Sequence, residues 1–262
     1  SVANEWSDVY VSFNQLIYYA STVIEHAFKL EIIDSNPFKK ITMPKAKNKD
    51  KKFTNFLSKE ELKKLLKVTK KEKRLHAQIR AISFSGIRIG ECIALNWNDI
   101  DFDNNTIDIN KTVSRSENGI VKIVPPKTPK SIRKLPMDQE TMEILNRWKY
   151  QQEAEFSHFG YKIKDYSRQL VFPNDDNRIQ GSTQFSYPLE KISKQNEIKV
   201  VSPHGLRHTH ASLLYESGVS MKDIQERLGH SSANFTSDIY THLSDKAKNE
   251  AVDKLSDFLN FD

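Results

Sequence analysis

The sequence predicts a mainly helical protein with a small antiparallel β-sheet set into it, an α+β chain. Three observations carry this. Apolar residues recur at three- and four-residue steps over most of the chain, the period of an amphipathic helix. Between Asp99 and Met137 the period falls to two, with Asn118-Gly119 as a hairpin signal inside that stretch. Serine, aspartate, proline and glycine stand where helices start and stop.

From about Trp6 to Ile33, residues Leu16, Tyr19, Val23, Ile24, Ala27 and Phe28 mark one or two helices. Asp34-Ser35-Asn36-Pro37 stops them, because the residue before a proline is pushed out of helical geometry. This opening is too short to bury a core by itself. With no initiator methionine, it reads as the end of a domain whose beginning lies upstream. Ser58-Lys59-Glu60-Glu61 is a capping box that opens a second helical stretch. HAQIRAISFSGIRIGECIALNW then reads as two helices meeting near Gly86. TIDINKTV, IVKIV and IRKLPM follow as three strands of a single sheet, with PPKTPKS as the second turn. Helices resume at Asp138. After a loop around Pro173 to Gly181, Ser202-Pro203 opens a helix that Gly218 ends, and Ser220 with Asp223 opens one that Gly229 closes. A short helix over Asn234–Leu243 and a last one over Asp245–Phe258 complete the expectation.

The 262 residues suffice for one large domain or for a domain with a smaller companion. No apolar run is long enough for a transmembrane helix, and SVANEWSDVY lacks the basic and apolar regions of a signal peptide. The lone cysteine, Cys92, rules out a disulfide within the chain and suits a reducing, cytoplasmic setting. In ECIAL it reads as a small buried hydrophobe. Net charge is +6, and the stretch Lys39–Lys52 alone has seven lysines against one aspartate. That basic segment reads as a solvated linker whose lysines (Lys39, Lys40, Lys45, Lys47, Lys49, Lys51 and Lys52) can contact the phosphates of a nucleic acid.

Three motifs carry chemistry. In SPHGLRHTH, His204 and Arg207 share one helix face near its N-terminus, a place suited to an anion. His204 and His208 have the spacing of a zinc-protease pair, but Gly205 stands where the glutamate base is needed. In SGIRIGE, Arg88 lies in an apolar stretch and needs a partner, which Glu91 can supply three residues on. In RLGHSS, His230 follows a cap glycine, and Tyr240 follows ten positions later in SDIYTHL. Taken alone, a histidine, an arginine or a tyrosine here is more often a structural residue.

The ordered set SGIRIGE, HGLRHTH, LGHSS and IYTHL resembles the tyrosine recombinases, the integrases of prophages, conjugative transposons and genomic islands. The resemblance runs from about Ser58 to the C-terminus, and YASTVIEHAFKLEIIDSNPFKKITMPK is similar to the end of the family's core-binding domain. It implies residues 1–42 as the C-terminal part of that helical domain, 43–57 as the basic linker and 58–262 as the catalytic domain. Any arm-site-binding domain further upstream is expected to lie outside this sequence. The resemblance implies site-specific DNA integration or excision through a covalent 3′-phosphotyrosyl intermediate. Arg88, Arg207 and His230 would bind the phosphate, His204 would orient or deprotonate the nucleophile, Glu91 would support Arg88, and Tyr240 would be the nucleophile. Lys127 fits the catalytic lysine on the turn before the third strand, with Lys130 as its rival. It further implies double-stranded DNA as partner, a homotetramer on DNA with the tail helix exchanged between subunits, and accessory DNA-bending factors. No metal or other cofactor is expected, and no membrane. A type IB topoisomerase-like enzyme departs from the pattern at the H-x-x-R pair and second histidine. A helix-turn-helix regulator built on SMKDIQERLGHSSANFTSDIYTHL leaves Arg88, Lys127 and His204 without a shared purpose.

Overall fold

A computed structural model describes residues 13–40, 55–116, 120–126 and 128–229. The chain divides into two units, Ser1–Lys52 and Phe53–Asp262. In the first, helix α1 (Phe13–Lys29) is followed by a 3-10 turn (Pro37–Lys40). The helix stops at Lys29 rather than at Ile33. Glu31 takes a left-handed φ of 57°, and the N–H groups of Glu31 and Ile32 return to the carbonyls of Phe28 and Ala27. This is a Schellman end, made here without the usual glycine. Asn36 then fixes the turn, donating to Glu25 at 2.5 Å and accepting from the Phe38 N–H at 2.8 Å.

The second unit opens with the expected capping box. The Ser58 hydroxyl accepts from the Glu61 N–H, and the Ser58 N–H donates to the Glu61 carboxylate at 2.7 Å. Helix α2 (Lys59–Val68) follows, then α3 (Lys73–Ser85) and α4 (Ile89–Ala94). Helix α3 is the central element, with Ala77 through Ser83 all buried. It packs against α5 (Gln139–His158) and α7 (Pro203–Glu216). Its buried Arg80 needs partners, and finds them in Thr141, Asp138 and Glu140 at 2.8–2.9 Å around the start of α5. Leu57, Leu65, Ile82, Ile107, Leu145, Phe172, Phe185 and Leu206 belong to one core that joins these helices to the sheet and to α6 (Ser182–Gln195). Helix α8 (Met221–Leu228) ends at Gly229, whose φ is 65°. Cys92 lies in the core as expected; burial, then the Glu91 charge, pushes its thiol pKa up and leaves it inert.

The β region corrects the single three-stranded sheet expected from the sequence. A three-stranded sheet has β1 (Ile100–Asp101), β2 (Thr106–Ile109) and β5 (Arg133–Pro136) in the order β1-β2-β5, all antiparallel. A separate two-stranded ribbon pairs β3 (Thr112–Arg115) with β4 (Val121–Val124). TIDINKTV is therefore two strands. The break falls at Asn110-Lys111, where both side chains turn to the buried Asp99, Lys111 at 2.5 Å and Asn110 at 3.3 Å. Among the described residues no helix is long and apolar enough to cross a membrane. The helices expected over Asn234–Leu243 and Asp245–Phe258 lie outside the described residues, as does the Asn118-Gly119 turn.

Candidate active site

The site grows from the elbow between α3 and α4. Gly86 ends α3 with φ +69°, and a Cβ placed there would meet His210 Cδ2 at 2.5 Å and Leu228 Cδ2 at 2.7 Å. Only glycine fits both the backbone and the space. The Gly86 carbonyl accepts a hydrogen bond from one guanidinium nitrogen of Arg207 on α7, and the Leu228 carbonyl at the end of α8 accepts from another at 2.8 Å. Arg207 is fully buried.

Two residues past Gly86, Arg88 caps α4. Its N–H donates to one Glu91 oxygen at 2.9 Å, and its guanidinium donates to the other at 2.8 Å. The Arg88 side chain keeps 37% of its surface open, whereas Glu91 keeps 3%. The charge is thus held from inside by Glu91 while more than a third of the side chain stays open.

Glu91 has a second cation that the sequence reading did not single out. Arg133, at the start of β5, reaches its two oxygens at 3.1 and 3.4 Å. A signal was present: side chains alternate along a strand, so Arg133 shares a face with Leu135, which is buried. Arg227 is a second residue of this kind. It donates to the carbonyls of Phe84 and Pro136 at 3.0 Å and to His210 Nε2 at 3.2 Å. The Nε2 of His210 therefore carries the lone pair, and its Nδ1–H donates to the Ser83 carbonyl at 2.9 Å.

The electrostatics follow from this packing. Burial by itself would raise the Glu91 pKa; the hydrogen bond and charge of Arg133, then the N–H and charge of Arg88, outweigh it, and the carboxyl sits below its ordinary value. Burial, then the Arg88 charge, pulls Arg207 down to about 9; a guanidinium keeps its proton at neutral pH. His204 opens α7, where the Ser202 hydroxyl caps the helix by accepting from the Gly205 N–H at 3.1 Å. Desolvation, then the charges of Arg207 and Arg88, lower the His204 pKa, so its neutral form is favoured near pH 7. Its ring lies edge-on to His208, 4.5 Å between centroids.

The structure thus brings Arg88, Glu91, His204 and Arg207 into one electrostatic neighbourhood. Lys127, His230 and Tyr240 lie outside the described residues, as do Lys45, Lys47, Lys49, Lys51 and Lys52. Lys39 and Lys40 are carried on the 3-10 turn of the first unit; the Lys39 ammonium stands 5.0 Å from the centroid of the Phe28 ring. The backbone of Lys130, the rival lysine, lies in a 3-10 turn (Pro129–Ser131).

Comparison with known proteins gives the family and the fold. The profile of the phage integrase family matches residues 55–247. The ICEBs1 integrase of Bacillus subtilis (strain 168) is 31% identical over 250 residues, covering 95% of this chain and 66% of that protein. The integrase of Staphylococcus phage L54a is 29% identical, covering 96% of this chain and 76% of that protein. The chain therefore spans about two thirds of the length of the first of these. Among solved structures, the Tn1549 transposon integrase in complex with circular intermediate DNA superposes with a TM-score of 0.78 at 21% identity, covering 97% of this chain and 84% of that one. A lambda integrase dimer bound to a core site gives 0.61 at 18% identity, covering 91% and 76%. These two likenesses establish the fold, mainly helical with small antiparallel sheets. By the match of the family profile to most of its length, the chain belongs to the phage integrase family.

Proposed function

We propose that this chain cleaves and rejoins double-stranded DNA at a specific site, through a covalent 3′-phosphotyrosyl intermediate on Tyr240. The observation that supports it most is the pair Arg88 and Arg207, two guanidiniums anchored from inside and tied to one elbow. Arg88 keeps open surface for donors to a phosphate oxygen, and the buried Arg207 sets a second positive charge behind it. In this reading the Tyr240 oxygen attacks the phosphorus and the bond to the 5′ oxygen breaks. The leaving oxygen takes a proton from Lys127, and the tyrosine proton passes to His204, which is predominantly neutral near pH 7. Arg88, Arg207 and His230 stabilise the charge on the phosphate oxygens through the transition state. A 5′ hydroxyl then reverses the step. One ester is exchanged for another each time, so rejoining needs no nucleotide.

The linker lysines would follow the DNA backbone, and the tail helix, with its stripe of Ala247, Ala251, Leu255 and Phe258, would pass between subunits of a tetramer assembled on DNA. The single buried Cys92 suits a reducing cytoplasm. A regulator that only binds DNA would have no use for a buried Arg207 wired to the Arg88 elbow.

The test uses a pool of nicked duplexes of randomised sequence. Protein–DNA product that survives denaturation is recovered and sequenced, which identifies the site as well. Wild-type chain forms this product; Tyr240→Phe still binds the enriched duplex and forms none. Equal yields of covalent product from the two proteins refute the assignment of Tyr240.

A further inference from the structure

We infer that Arg133 is a positioning residue for strand cleavage: it completes a closed circuit of hydrogen bonds that fixes Arg88 relative to Arg207. The inference rests on the function proposed above.

The circuit runs through four elements. Arg88 binds Glu91 on α4 at 2.8 Å, and Glu91 binds Arg133 on β5 at 3.1 Å. Arg133 Nε donates to the Arg227 carbonyl at 2.9 Å. The next carbonyl along, that of Leu228, accepts from Arg207 at 2.8 Å. Arg207 returns to the carbonyl of Gly86, two residues before Arg88. Arg133 and Arg207 thus take consecutive carbonyls at the C-terminus of α8, where the helix leaves acceptors unsatisfied and the dipole favours cations. A further donor of Arg133 goes to the Ser131 carbonyl at 3.0 Å.

Removing Arg133 would open the circuit at two joints. Glu91 would be left to Arg88 alone, which draws that guanidinium inward and away from a phosphate. The end of α8, and with it the acceptor of Arg207, would lose its tie to the sheet. Neither effect is a matter of charge alone. Arg133 spends its planar fork on three different partners, which a lysine ammonium on a flexible stem cannot reproduce. Its side chain is 8% exposed, so it acts on the reaction through Arg88 and Arg207 and not through substrate.

A second consequence concerns pH. Glu91 is faced by Arg88 from its own helix, by Arg133 from β5 and, through its charge, by Arg207 from α7. Burial pushes its pKa up, and Arg133 supplies the largest opposing interaction. Without Arg133 the carboxyl takes up its proton at higher pH, and a neutral Glu91 no longer anchors Arg88. The acid limb of the cleavage rate therefore moves to higher pH.

The experiment compares wild type with Arg133→Lys and Arg133→Gln on the nicked duplex enriched from the randomised pool. DNA affinity, the single-turnover cleavage rate at saturating protein and its pH profile are measured. Both variants should bind within about threefold of wild type and cleave about 10²-fold more slowly, the scale of a small misplacement of catalytic groups. The acid limb should move to higher pH in Arg133→Gln, while the charge retained in Arg133→Lys holds it near the wild-type position. Cleavage by Arg133→Lys within about threefold of wild type overturns the inference, as does a loss carried wholly by DNA affinity with an unchanged pH profile. If wild type itself forms no covalent product with any member of the pool, the function proposed above fails instead.

Discussion

Replacing Gly86 with alanine separates the two demands made on the elbow that joins the arginines. The first demand is conformational. At φ +69° an L-residue sits in the left-handed region, at a cost of about 1–2 kcal/mol. The second is spatial, since the new Cβ would lie 2.5 Å from His210 Cδ2 and 2.7 Å from Leu228 Cδ2. Neither neighbour can yield cheaply: the His210 ring is held at both nitrogens, by Ser83 and Arg227, and Leu228 is fully buried. Overpacking of this kind costs about 1–3 kcal/mol, so Gly86→Ala should lose about 2–5 kcal/mol in all. Gly218 is the control. Its φ is +90°, and nothing lies within 4 Å of a Cβ placed there, so Gly218→Ala should bear the backbone cost alone. Urea unfolding of both variants isolates the packing term as their difference. Gly86→Ala should also cleave DNA more slowly at saturating protein, because the Gly86 carbonyl is an acceptor for Arg207. Equal loss of stability in the two variants refutes the packing argument.

The other predictions concern single groups. Arg88→Ala and Arg207→Ala should each slow cleavage by about 10²–10³, the usual effect of removing one transition-state donor; a rate within about threefold of wild type shows that an arginine is misassigned. Only Arg207→Ala should also lower the unfolding midpoint, because Arg207 is fully buried and Arg88 is not. A 5′-phosphorothiolate substrate leaves as a thiolate and needs little protonation, so Lys127→Ala should cleave it nearly normally while cleaving the oxygen substrate poorly. Rescue in Lys130→Ala and not in Lys127→Ala exchanges the two roles. Burial, then the Arg227 charge, pulls His210 down to about 3, whereas the unfolded chain takes up that proton near pH 6.5. The folded state binds fewer protons in this window, so stability is full above pH 6.5 and falls as pH drops toward 3, by up to about 1.4 kcal/mol per unit for this group. Urea midpoints between pH 6.5 and 5 read it before the carboxylates titrate; a His210→Gln variant with the same slope as wild type removes His210 as the cause.

The parts of the fold that were legible in the sequence are those set by local chemistry. Ser58 with Glu61, Asp138, Ser202-Pro203, and Ser220 with Asp223 open helices because their side chains satisfy the backbone next to them. Gly86 and Gly229 close helices because they tolerate φ above zero. Arg88 and Glu91 were legible as a pair because three residues on a helical turn bring them together. What the sequence concealed was long-range. TIDINKTV keeps the alternation at Ile107, Ile109 and Val113 and loses it at Lys111, but nothing local says that Asn110 and Lys111 turn to Asp99, a partner fixed by tertiary packing. Arg133 reads as one more basic residue after a lysine-rich turn; its pairing with Glu91 spans 42 residues of sequence. His210 shares a motif with His204, yet burial and two fixed partners make it structural.

The same packing explains why the site should want an anion. Burying a guanidinium costs several kcal/mol before it is paired. Arg207 offsets part of that with the carbonyls of Gly86 and Leu228, the latter at the negative end of a helix. Its charge is not cancelled by those contacts. Three guanidiniums, Arg88, Arg133 and Arg207, are arranged around the buried carboxylate of Glu91, and burial, then the Arg88 charge, lowers the Arg207 pKa. This elbow holds a surplus of positive charge, kept in place by glycine packing and by hydrogen bonds that leave more than a third of the Arg88 side chain open. In the function proposed above, a phosphate held by Arg88 in front of Arg207 would relieve that repulsion, and a phosphate gaining negative charge on its oxygens in the transition state would relieve it further.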